Sequence, residues 1–439
     1  MRRAIGLLAA ALLLTGCAGT ARAAPELTVG GGAIDEPLAV VVSGLVPGER
    51  ASVWARMTDD RGRMWTSWAT FAADRGGRVD IAELAPVSGS YAGADPTGLL
   101  WSMRLPSAEP VSEPRAALSG AEVRLTIGVD IGGRTVAQAP VVVPLHAPGV
   151  RSTSIAEDGL VGDLHLPPGP GPHPGVVLLG GSEGGRPNPE LGRFLAGKGF
   201  AVLGLAYFGL PGLPPALDRI PVEYGTRAVD WLRARPEVSD GRVGVVGLSR
   251  GGEFALVLGA HAPGVGAVAS IVGSGAVFPS AAPQASSWAH AGADLPPLVI
   301  ASPGSPVGFL TEAVRGRPGR FVDTQGTTAT REELDRAAIP VERSDAAFLL
   351  VSAERDEMWP SQRLLDVAAR RLGDRAEHVV QPGAGHFILD VPNLPTSYTT
   401  AVPLIPGLFW AAGGGTPQAN AAATADTVRR VVELFQEEL

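Results

Sequence analysis

The chain contains few of the residues that build disulfides, metal centres or basic surfaces. Its 439 residues include a single cysteine, Cys17, and a single lysine, Lys198, and the formal net charge is −8. One cysteine cannot form an internal disulfide, and an acidic chain lacks the positive charge that nucleic-acid binding requires. No pair of histidines and no cysteine cluster has metal-ligand spacing. We therefore expect no metal, no cofactor and no nucleic-acid partner.

Long apolar runs are also scarce. The run at 4–14 follows two arginines and is too short to span a bilayer as an ordinary helix. It leads into Leu-Thr-Gly-Cys at 14–17, which resembles the bacterial lipoprotein signal, whose cysteine is lipidated and becomes the first mature residue. We predict that residues 1–24 are this signal and a linker, that Cys17 is lipidated, and that the protein is exported and anchored to the outer face of a bacterial membrane. A secretory signal cut after 21–23 is the alternative.

The rest of the chain divides into two patterns. Residues 25–148 contain short alternating or β-branched runs separated by turn signals, which predicts an all-β sandwich. Its tryptophans are expected to pack in the core rather than to form a ligand platform; they are Trp54, Trp65, Trp68 and Trp101. In residues 149–439, continuous apolar runs alternate with helical stretches, which predicts a mainly parallel sheet with helices on both faces.

The second pattern gives specific elements. We predict strands at 175–179, 201–205, 299–300 and 348–351, and helices at 189–198, 222–235 and 251–261. The C-terminal helix is expected to bury one face, formed by Val428, Val431, Val432 and Phe435. Residues 273–297 are rich in Ala, Pro, Ser and Gly and are predicted to form a lid-like loop.

The pattern at 244–256 predicts a buried strand, a sharp turn and a helix. The turn contains Gly247-x-Ser249-x-Gly251. This is the pattern of a nucleophile elbow, in which the serine has a strained backbone and its neighbours two residues away must be small. The helix start offers free N–H groups, and the Arg250 N–H can donate to a developing oxyanion. We predict that Ser249 is a nucleophile.

A second oxyanion donor is expected in the loop after an early strand. The glycine-rich segment 180–185 directly follows the strand at 175–179, and Gly181 and Ser182 are the candidates within it. A phosphate-binding loop is the competing interpretation, but the chain has no G-x-x-x-x-G-K-[ST].

A serine nucleophile needs a histidine base and an orienting carboxylate, which follow it in the order Ser, acid, His in α/β-hydrolases. The histidines after Ser249 are His261, His290, His378 and His386. His386 is favoured because it lies in a glycine-rich loop after a predicted strand. Asp356 is our choice for the acid because it follows the strand ending at residue 351. Glu354 and Glu357 are close rivals.

Eight segments together resemble the acyl-CoA thioesterase / bile acid-CoA:amino acid N-acyltransferase family. They are 35–38 (DEPL), 44–48 (GLVPG), 89–103 (GSYAGADPTGLLWSM), 166–172 (LPPGPGP), 205–208 (LAYF), 247–253 (GLSRGGE), 339–342 (IPVE) and 383–386 (GAGH). The resemblance covers nearly all of the chain after the signal. It implies an immunoglobulin-like first domain followed by an α/β-hydrolase, with a triad at the matching positions Ser249, Asp356 and His386.

The function implied by the resemblance is hydrolysis of acyl-CoA to a free fatty acid and CoA through an acyl-enzyme. A serine favours hydrolysis because its acyl-enzyme is an oxygen ester that water can resolve, whereas the amino-acid-conjugating member has cysteine. The partners expected are a small-molecule acyl thioester or ester and, through Cys17, a membrane. An exported carboxylesterase or lipase, an acyl-CoA:amino acid N-acyltransferase and a binding protein with a degenerate hydrolase domain are the alternatives.

Overall fold

The computed structural model describes residues 24–106, 114–280, 285–301, 305, 307–324, 327–405 and 409–439. The strands are β1 (Glu26–Gly30), β2 (Ala39–Ser43), β3 (Arg50–Thr58), β4 (Met64–Ala72), β5 (Val79–Asp80), β6 (Ser88–Gly89), β7 (Glu122–Ile131), β8 (Arg134–Pro144), β9 (Arg151–Glu157), β10 (Leu160–Leu166), β11 (Gly175–Leu179), β12 (Ala201–Ala206), β13 (Ile220–Pro221), β14 (Val243–Leu248), β15 (Val265–Ile271), β16 (Trp288–His290), β17 (Ala293–Asp294), β18 (Ala347–Ala353), β19 (Ala376–Gln381), β20 (Ala401–Ile405) and β21 (Phe409–Ala412). The helices are α1 (Gly98–Trp101), α2 (Pro189–Gly197), α3 (Val222–Arg233), α4 (Arg250–His261), α5 (Val307–Val314), α6 (Arg331–Arg336), α7 (Ser361–Leu372) and α8 (Pro417–Glu438).

The N-terminal strands form an antiparallel β-sandwich. In the described residues, one sheet has the order β1-β2-β5 and the other β6-β4-β3-β7-β8. Burial alternates along β4, as expected for a strand with one face on the core. The tryptophan prediction is confirmed at Trp54, Trp65 and Trp101, which are buried, and is wrong at Trp68, whose exposed fraction is 48%. Trp68 alternates with its buried neighbours and therefore points out of the sheet.

The C-terminal domain, from β9 onward, is built on a mixed sheet. Its strand order in the described residues is β19-β18-β15-β14-β11-β12-β10-β9. The strands from β19 to β12 run parallel, and β9 and β10 pair antiparallel at one edge. The central strands β11, β12 and β15 are buried along their whole length, because helices cover both faces. This is the predicted α/β-hydrolase arrangement.

The helix predictions agree closely with α2, α3 and α4. Asn188 caps α2 by accepting hydrogen bonds from the backbone N–H groups of residues 190 and 191. Of the four residues predicted for the inner face of α8, Val428, Val431 and Phe435 are buried, and Val432 is partly buried against the same core.

The predicted strand at 299–300 is wrong. These residues belong to no strand, and Val299 is 54% exposed. Two prolines at 296–297 precede them and have no backbone N–H to donate to a ladder. The next strand of the main sheet after β15 is instead β18, which begins at Ala347.

The described part of the predicted lid, 273–280 and 285–297, packs largely into the C-terminal domain. Phe278 and Trp288 are buried, and the Trp288 ring stacks on Phe254 of α4 with centroids 4.4 Å apart. The segment therefore forms a wall of the molecule beside the elbow helix.

The β-sandwich and the C-terminal domain share one apolar core. The same cluster of buried side chains contains Leu99 and Leu100 of α1 and Val428 and Val431 of α8. Asn393 Nδ2 also donates to Ile34 O across the junction at 2.7 Å. Among the helices in the described ranges, none is long and apolar enough to span a bilayer.

Candidate active site

Ser249 lies at the sharp turn between β14 and α4. Its φ of +57° is in the left-handed region, which costs energy for a residue with a side chain. The surrounding backbone holds this conformation, because the Ser249 N–H donates to Ile271 O on β15 at 2.8 Å and Ser249 O accepts from the Glu253 N–H at 3.0 Å. Ser249 thus has the strained backbone expected of a nucleophile elbow.

The two flanking glycines are required by close packing. A Cβ at Gly247 would lie 2.2 Å from Gly251 O, and one at Gly251 would lie 2.2 Å from Gly180 O. Both contacts are with backbone atoms, which cannot move aside as a flexible side chain could. The turn therefore packs directly on the glycine-rich segment after β11, and this contact brings that segment beside Ser249.

His386 and Asp356 are joined by a buried hydrogen bond. His386 Nδ1 lies 2.9 Å from Asp356 Oδ2 and 3.0 Å from Oδ1, and both side chains are at most 3% exposed. The Asp356 carboxylate also accepts from the N–H groups of Met358 and Trp359 at 3.0 and 3.2 Å. A carboxylate that accepts from Nδ1 makes Nδ1 the donor nitrogen of the ring, which leaves the other ring nitrogen of a neutral imidazole as an acceptor.

The rival carboxylates have other partners. Glu354 is exposed and accepts from the Gly383 N–H at 2.7 Å, and Glu357 lies 3.8 Å from the guanidinium of Arg320. Of the three acidic residues in this loop, Asp356 is the one that the structure brings to His386.

The other histidines after Ser249 have different surroundings. The rings of His261 and His290 lie 4.6 Å apart, and His290 pairs with Glu223 at 3.0 Å. His378 forms a second Ser-His-Asp arrangement, with its Nε2 3.1 Å from Ser352 Oγ and its Nδ1 3.4 Å from Asp366. Ser352 is fully buried in a central strand, so no substrate can reach its hydroxyl.

The structure distinguishes the two predicted second oxyanion donors, Gly181 and Ser182, by whether their N–H groups are already hydrogen-bonded. A Cβ at Gly181 would lie 3.5 Å from Ser249 Cβ, so the loop is in the expected place. However, the Gly181 N–H already donates to the side chain of Glu183 at 2.9 Å. Ser182 lines the cavities at Ser249, and its N–H has no hydrogen-bond partner within the described ranges. Of the two predicted second donors, Ser182 is therefore the one whose N–H remains available at the cavities.

Tyr207 fixes the carbonyl side of the same loop, a role that sequence reasoning missed. Its hydroxyl lies 2.7 Å from Gly180 O and 3.1 Å from Gly181 O, so its single proton is shared between the two carbonyl oxygens. Burial raises the pKa of Tyr207 well above its usual value, so the hydroxyl keeps its proton. With their carbonyls held in this way, the N–H groups of the loop have a fixed orientation. In the sequence, Tyr207 was singled out only as part of the segment 205–208, which is one of the segments that resemble the family.

A buried ion pair also lies directly under the elbow. Arg250 Nη1 is 2.9 Å from Glu253 Oε2, and Glu253 accepts from the Phe278 N–H at 2.9 Å and from Trp288 Nε1 at 2.6 Å. The Arg250 guanidinium additionally bonds Ser287 Oγ. The elbow helix thereby anchors the segment that was predicted to be a lid.

Two cavities of the described structure meet at Ser249 and His386. One, the Arg115 cavity, has a volume of about 670 Å³, and its walls combine the charged side chains of Arg115, Glu190 and Asp390 with apolar side chains. The other, the aromatic cavity, has a volume of about 760 Å³, and its walls combine aromatic side chains, such as Phe278 and Trp359, with polar ones. A substrate that extends to both sides of its reacting carbonyl fits this pair of cavities.

Comparison with known proteins gives the same two-part organisation. Residues 220–439 match the family model described as BAAT / Acyl-CoA thioester hydrolase C terminal, and residues 35–157 match Acyl-CoA thioester hydrolase/BAAT N-terminal region. The chain belongs to the acyl-CoA thioester hydrolase/BAAT family.

Two relatives illustrate the extent of the likeness. Acyl-coenzyme A thioesterase 2, mitochondrial, of Mus musculus is 31% identical over 418 residues, which are 92% of this chain and 87% of that protein. Acyl-coenzyme A thioesterase 1 of Homo sapiens is 30% identical over 421 residues, with 92% and 94% covered. Both domains therefore match.

Proposed function

We propose that this protein is a serine hydrolase that cleaves acyl thioesters, with acyl-CoA as the first substrate to test. The observation that carries the proposal is the buried His386–Asp356 hydrogen bond at a cavity shared with Ser249. Membership of the acyl-CoA thioester hydrolase/BAAT family supports the choice of a thioester over other acyl compounds.

In the proposed cycle, His386 takes the proton of the Ser249 hydroxyl as the oxygen attacks the thioester carbonyl. Asp356 orients the imidazole and stabilises the imidazolium that forms. The N–H groups of Arg250 and Ser182 stabilise the oxyanion. The tetrahedral intermediate collapses, the C–S bond breaks, and the thiol leaves with a proton from His386. A water activated by His386 then hydrolyses the oxygen ester and releases the fatty acid.

The cavities support an assignment of the two substrate arms. The aromatic cavity suits the acyl chain, because its aromatic side chains offer surface against which hydrocarbon can be buried. The Arg115 cavity, which contains charged side chains, suits the thiol arm. The arginines near the site have acidic partners: Arg250 pairs with Glu253, and Arg186 lies 3.2 Å from Asp163. The attraction for the phosphates of a coenzyme is correspondingly reduced.

The deciding experiment compares turnover of a long-chain acyl-CoA and of a p-nitrophenyl ester by the protein without residues 1–24, with Ser249→Ala as the blank. We expect faster turnover of the thioester and none in the variant. A preference for the aryl ester would make the protein a carboxylesterase. Turnover that survives in Ser249→Ala would refute the assignment of Ser249 as the nucleophile. If a fluorophosphonate failed to label Ser249, the result would favour a binding protein with an inactive hydrolase domain.

We further propose that the protein is exported and anchored through a lipid on Cys17. The support is the pattern at 14–17, which lies outside the described residues. The test is expression of the full chain in a bacterial host, followed by fractionation and mass analysis of the N-terminal peptide. We expect a lipid-modified peptide that begins at Cys17, and loss of membrane association in Cys17→Ser. An unmodified N-terminus just after 21–23 would show an ordinary secretory signal instead.

A further inference from the structure

The side chain of Asp390 joins several parts of the Arg115 cavity. It lies four residues after His386 and is 9% exposed. Its two oxygens accept hydrogen bonds from Arg115 Nε and Nη2 at 2.8 and 2.6 Å, from Asn188 Nδ2 at 2.6 Å, from the Tyr398 hydroxyl at 2.6 Å and from the Val391 N–H at 2.7 Å. Burial alone would raise the pKa of Asp390, but Arg115 and these other donors hold it below its ordinary value.

Arg115 reaches this carboxylate from the β-sandwich. Its carbonyl oxygen accepts from Arg63 Nη2 at 3.0 Å, and the N–H of Ala117, two residues on, donates to Asp59 at 3.3 Å. Asp59 also pairs with Arg63 at 2.6 Å and accepts from the fully buried Trp65 at 3.1 Å. These hydrogen bonds fix the backbone at Arg115 to the core of the β-sandwich. The planar guanidinium of Arg115 then makes a two-point contact with Asp390.

The other partners of Asp390 lead to the reacting groups. Asn188 is the N-cap of α2, and α2 follows the glycine-rich segment that contains Gly181 and Ser182. On the other side, the chain runs from Asp390 back to His386 within four residues. The Asp390 carboxylate therefore connects the loop that contains His386 with the glycine-rich segment. Through Arg115 it also connects both with the β-sandwich.

We propose that Arg115 is a positioning residue through which the β-sandwich holds the His386 loop and the glycine-rich loop in their working arrangement. The guanidinium is already paired on two sides, with Asp390 and at 3.4 Å with Glu190, so it acts through these loops. A partly buried ion pair with a two-point contact contributes little net stability but restricts the geometry of the groups that it joins. This role rests on the proposed function, since it concerns the reaction at Ser249.

The chain supplies a matched control at the other end of α2. Lys198, the C-cap of α2, forms a second ion pair with the sandwich, 2.5 Å from Asp35 Oδ2. Its side chain is 31% exposed, compared with 33% for Arg115. Lys198→Met and Arg115→Met therefore each remove one cationic link between the domains, but only Arg115 belongs to the walls of the cavity at Ser249.

The experiment measures kcat, KM, thermal midpoint and amide hydrogen exchange for the native protein, Arg115→Met, Arg115→Lys and Lys198→Met. We expect Arg115→Met to lower kcat by about 100-fold with a smaller change in KM, since displacement of catalytic groups costs this much. Peptides covering 180–191 and 383–391 should exchange faster in Arg115→Met but at the native rate in Lys198→Met. Arg115→Lys keeps the positive charge but not the planar guanidinium, so its kcat and exchange rates should lie between those of the native protein and Arg115→Met. This variant also tests the proposal if Arg115→Met fails to fold.

Equal losses of kcat in Arg115→Met and Lys198→Met would overturn the proposal, because they would show a general loosening of the domain junction. Unchanged exchange in both peptides of Arg115→Met and Arg115→Lys would overturn it as well. The exchange measurement does not depend on turnover. An inactive native protein would therefore count against the hydrolase proposal alone, while the exchange pattern would still decide the role of Arg115.

Discussion

At the scale of single residues, the choice between Asp356 and Glu354 has a direct consequence for the tautomer of His386. Asp356→Asn replaces an acceptor with an amide that can donate to Nδ1, which places the imidazole proton on the wrong nitrogen. We expect kcat to fall by about 10⁴, as in triads elsewhere, with the thermal midpoint little changed. The measurement is steady-state turnover of the preferred substrate.

Glu354→Gln is the control for this prediction. Glu354 accepts from the Gly383 N–H in the loop that contains His386, whereas the side-chain hydrogen bonds of His386 in the described residues go to Asp356, so the variant should keep near-native turnover. If Glu354→Gln loses activity and Asp356→Asn keeps it, the assignment of the acid is wrong.

Glu253 gives a prediction about pH. Burial raises its pKa to about 7, although Arg250 opposes this shift. Between the unfolded value near 4.5 and this folded value, the folded state binds more protons than the unfolded state, so its stability falls as the pH rises. A shift of this size amounts to about 3 kcal/mol.

The measurement is urea unfolding of the native protein and of Glu253→Gln at pH 5 and pH 8. The native protein should lose stability relative to the variant on going to pH 8, because the glutamine side chain of the variant does not titrate. Parallel pH dependences in the two proteins would show that Glu253 is ionised throughout this range.

At the scale of elements, the start of α4 is packed against the loop after β11 without space for a side chain. Gly251→Ala places a Cβ 2.2 Å from Gly180 O, so either the helix or the loop must move. We expect a loss of stability of about 1–3 kcal/mol and a loss of turnover, because the displaced loop contains Ser182. Thermal unfolding and kcat would measure the two effects.

Gly241→Ala serves as the matched control for Gly251→Ala. A Cβ at Gly241 would meet no atom within 4 Å, and its φ is not in the left-handed region. This variant should be as stable as the native protein or slightly more so. Equal stability and turnover of the two variants would contradict the close packing at the elbow.

At the scale of the whole molecule, the apolar core continues from the sandwich into the C-terminal domain. Two domains that share a core cannot lose their packing independently. We expect one cooperative unfolding transition, with coincident midpoints for tryptophan fluorescence and for far-ultraviolet circular dichroism in urea. Two separated transitions would show that the junction contributes little to either domain.

The sequence by itself determined the elements whose signals are local. The elbow around Ser249, the buried strands and the helices from α2 to α4 follow from spacing, apolar runs and turn residues within short windows. The order of serine, acid and histidine along the chain left four histidines, and the glycine-rich loop around His386 was enough to favour it among them. The same local logic failed at 299–300, because two apolar residues after two prolines do not make a strand.

Only the tertiary structure decided which groups meet. Asp356, rather than its neighbours Glu354 and Glu357, bonds His386 because of how one loop turns. The Gly181 N–H donates to the side chain of Glu183, a contact that no sequence pattern predicts. The pairing of Arg115 with Asp390 joins residues 275 positions apart. Such contacts depend on how distant segments pack, and local sequence patterns do not encode that packing.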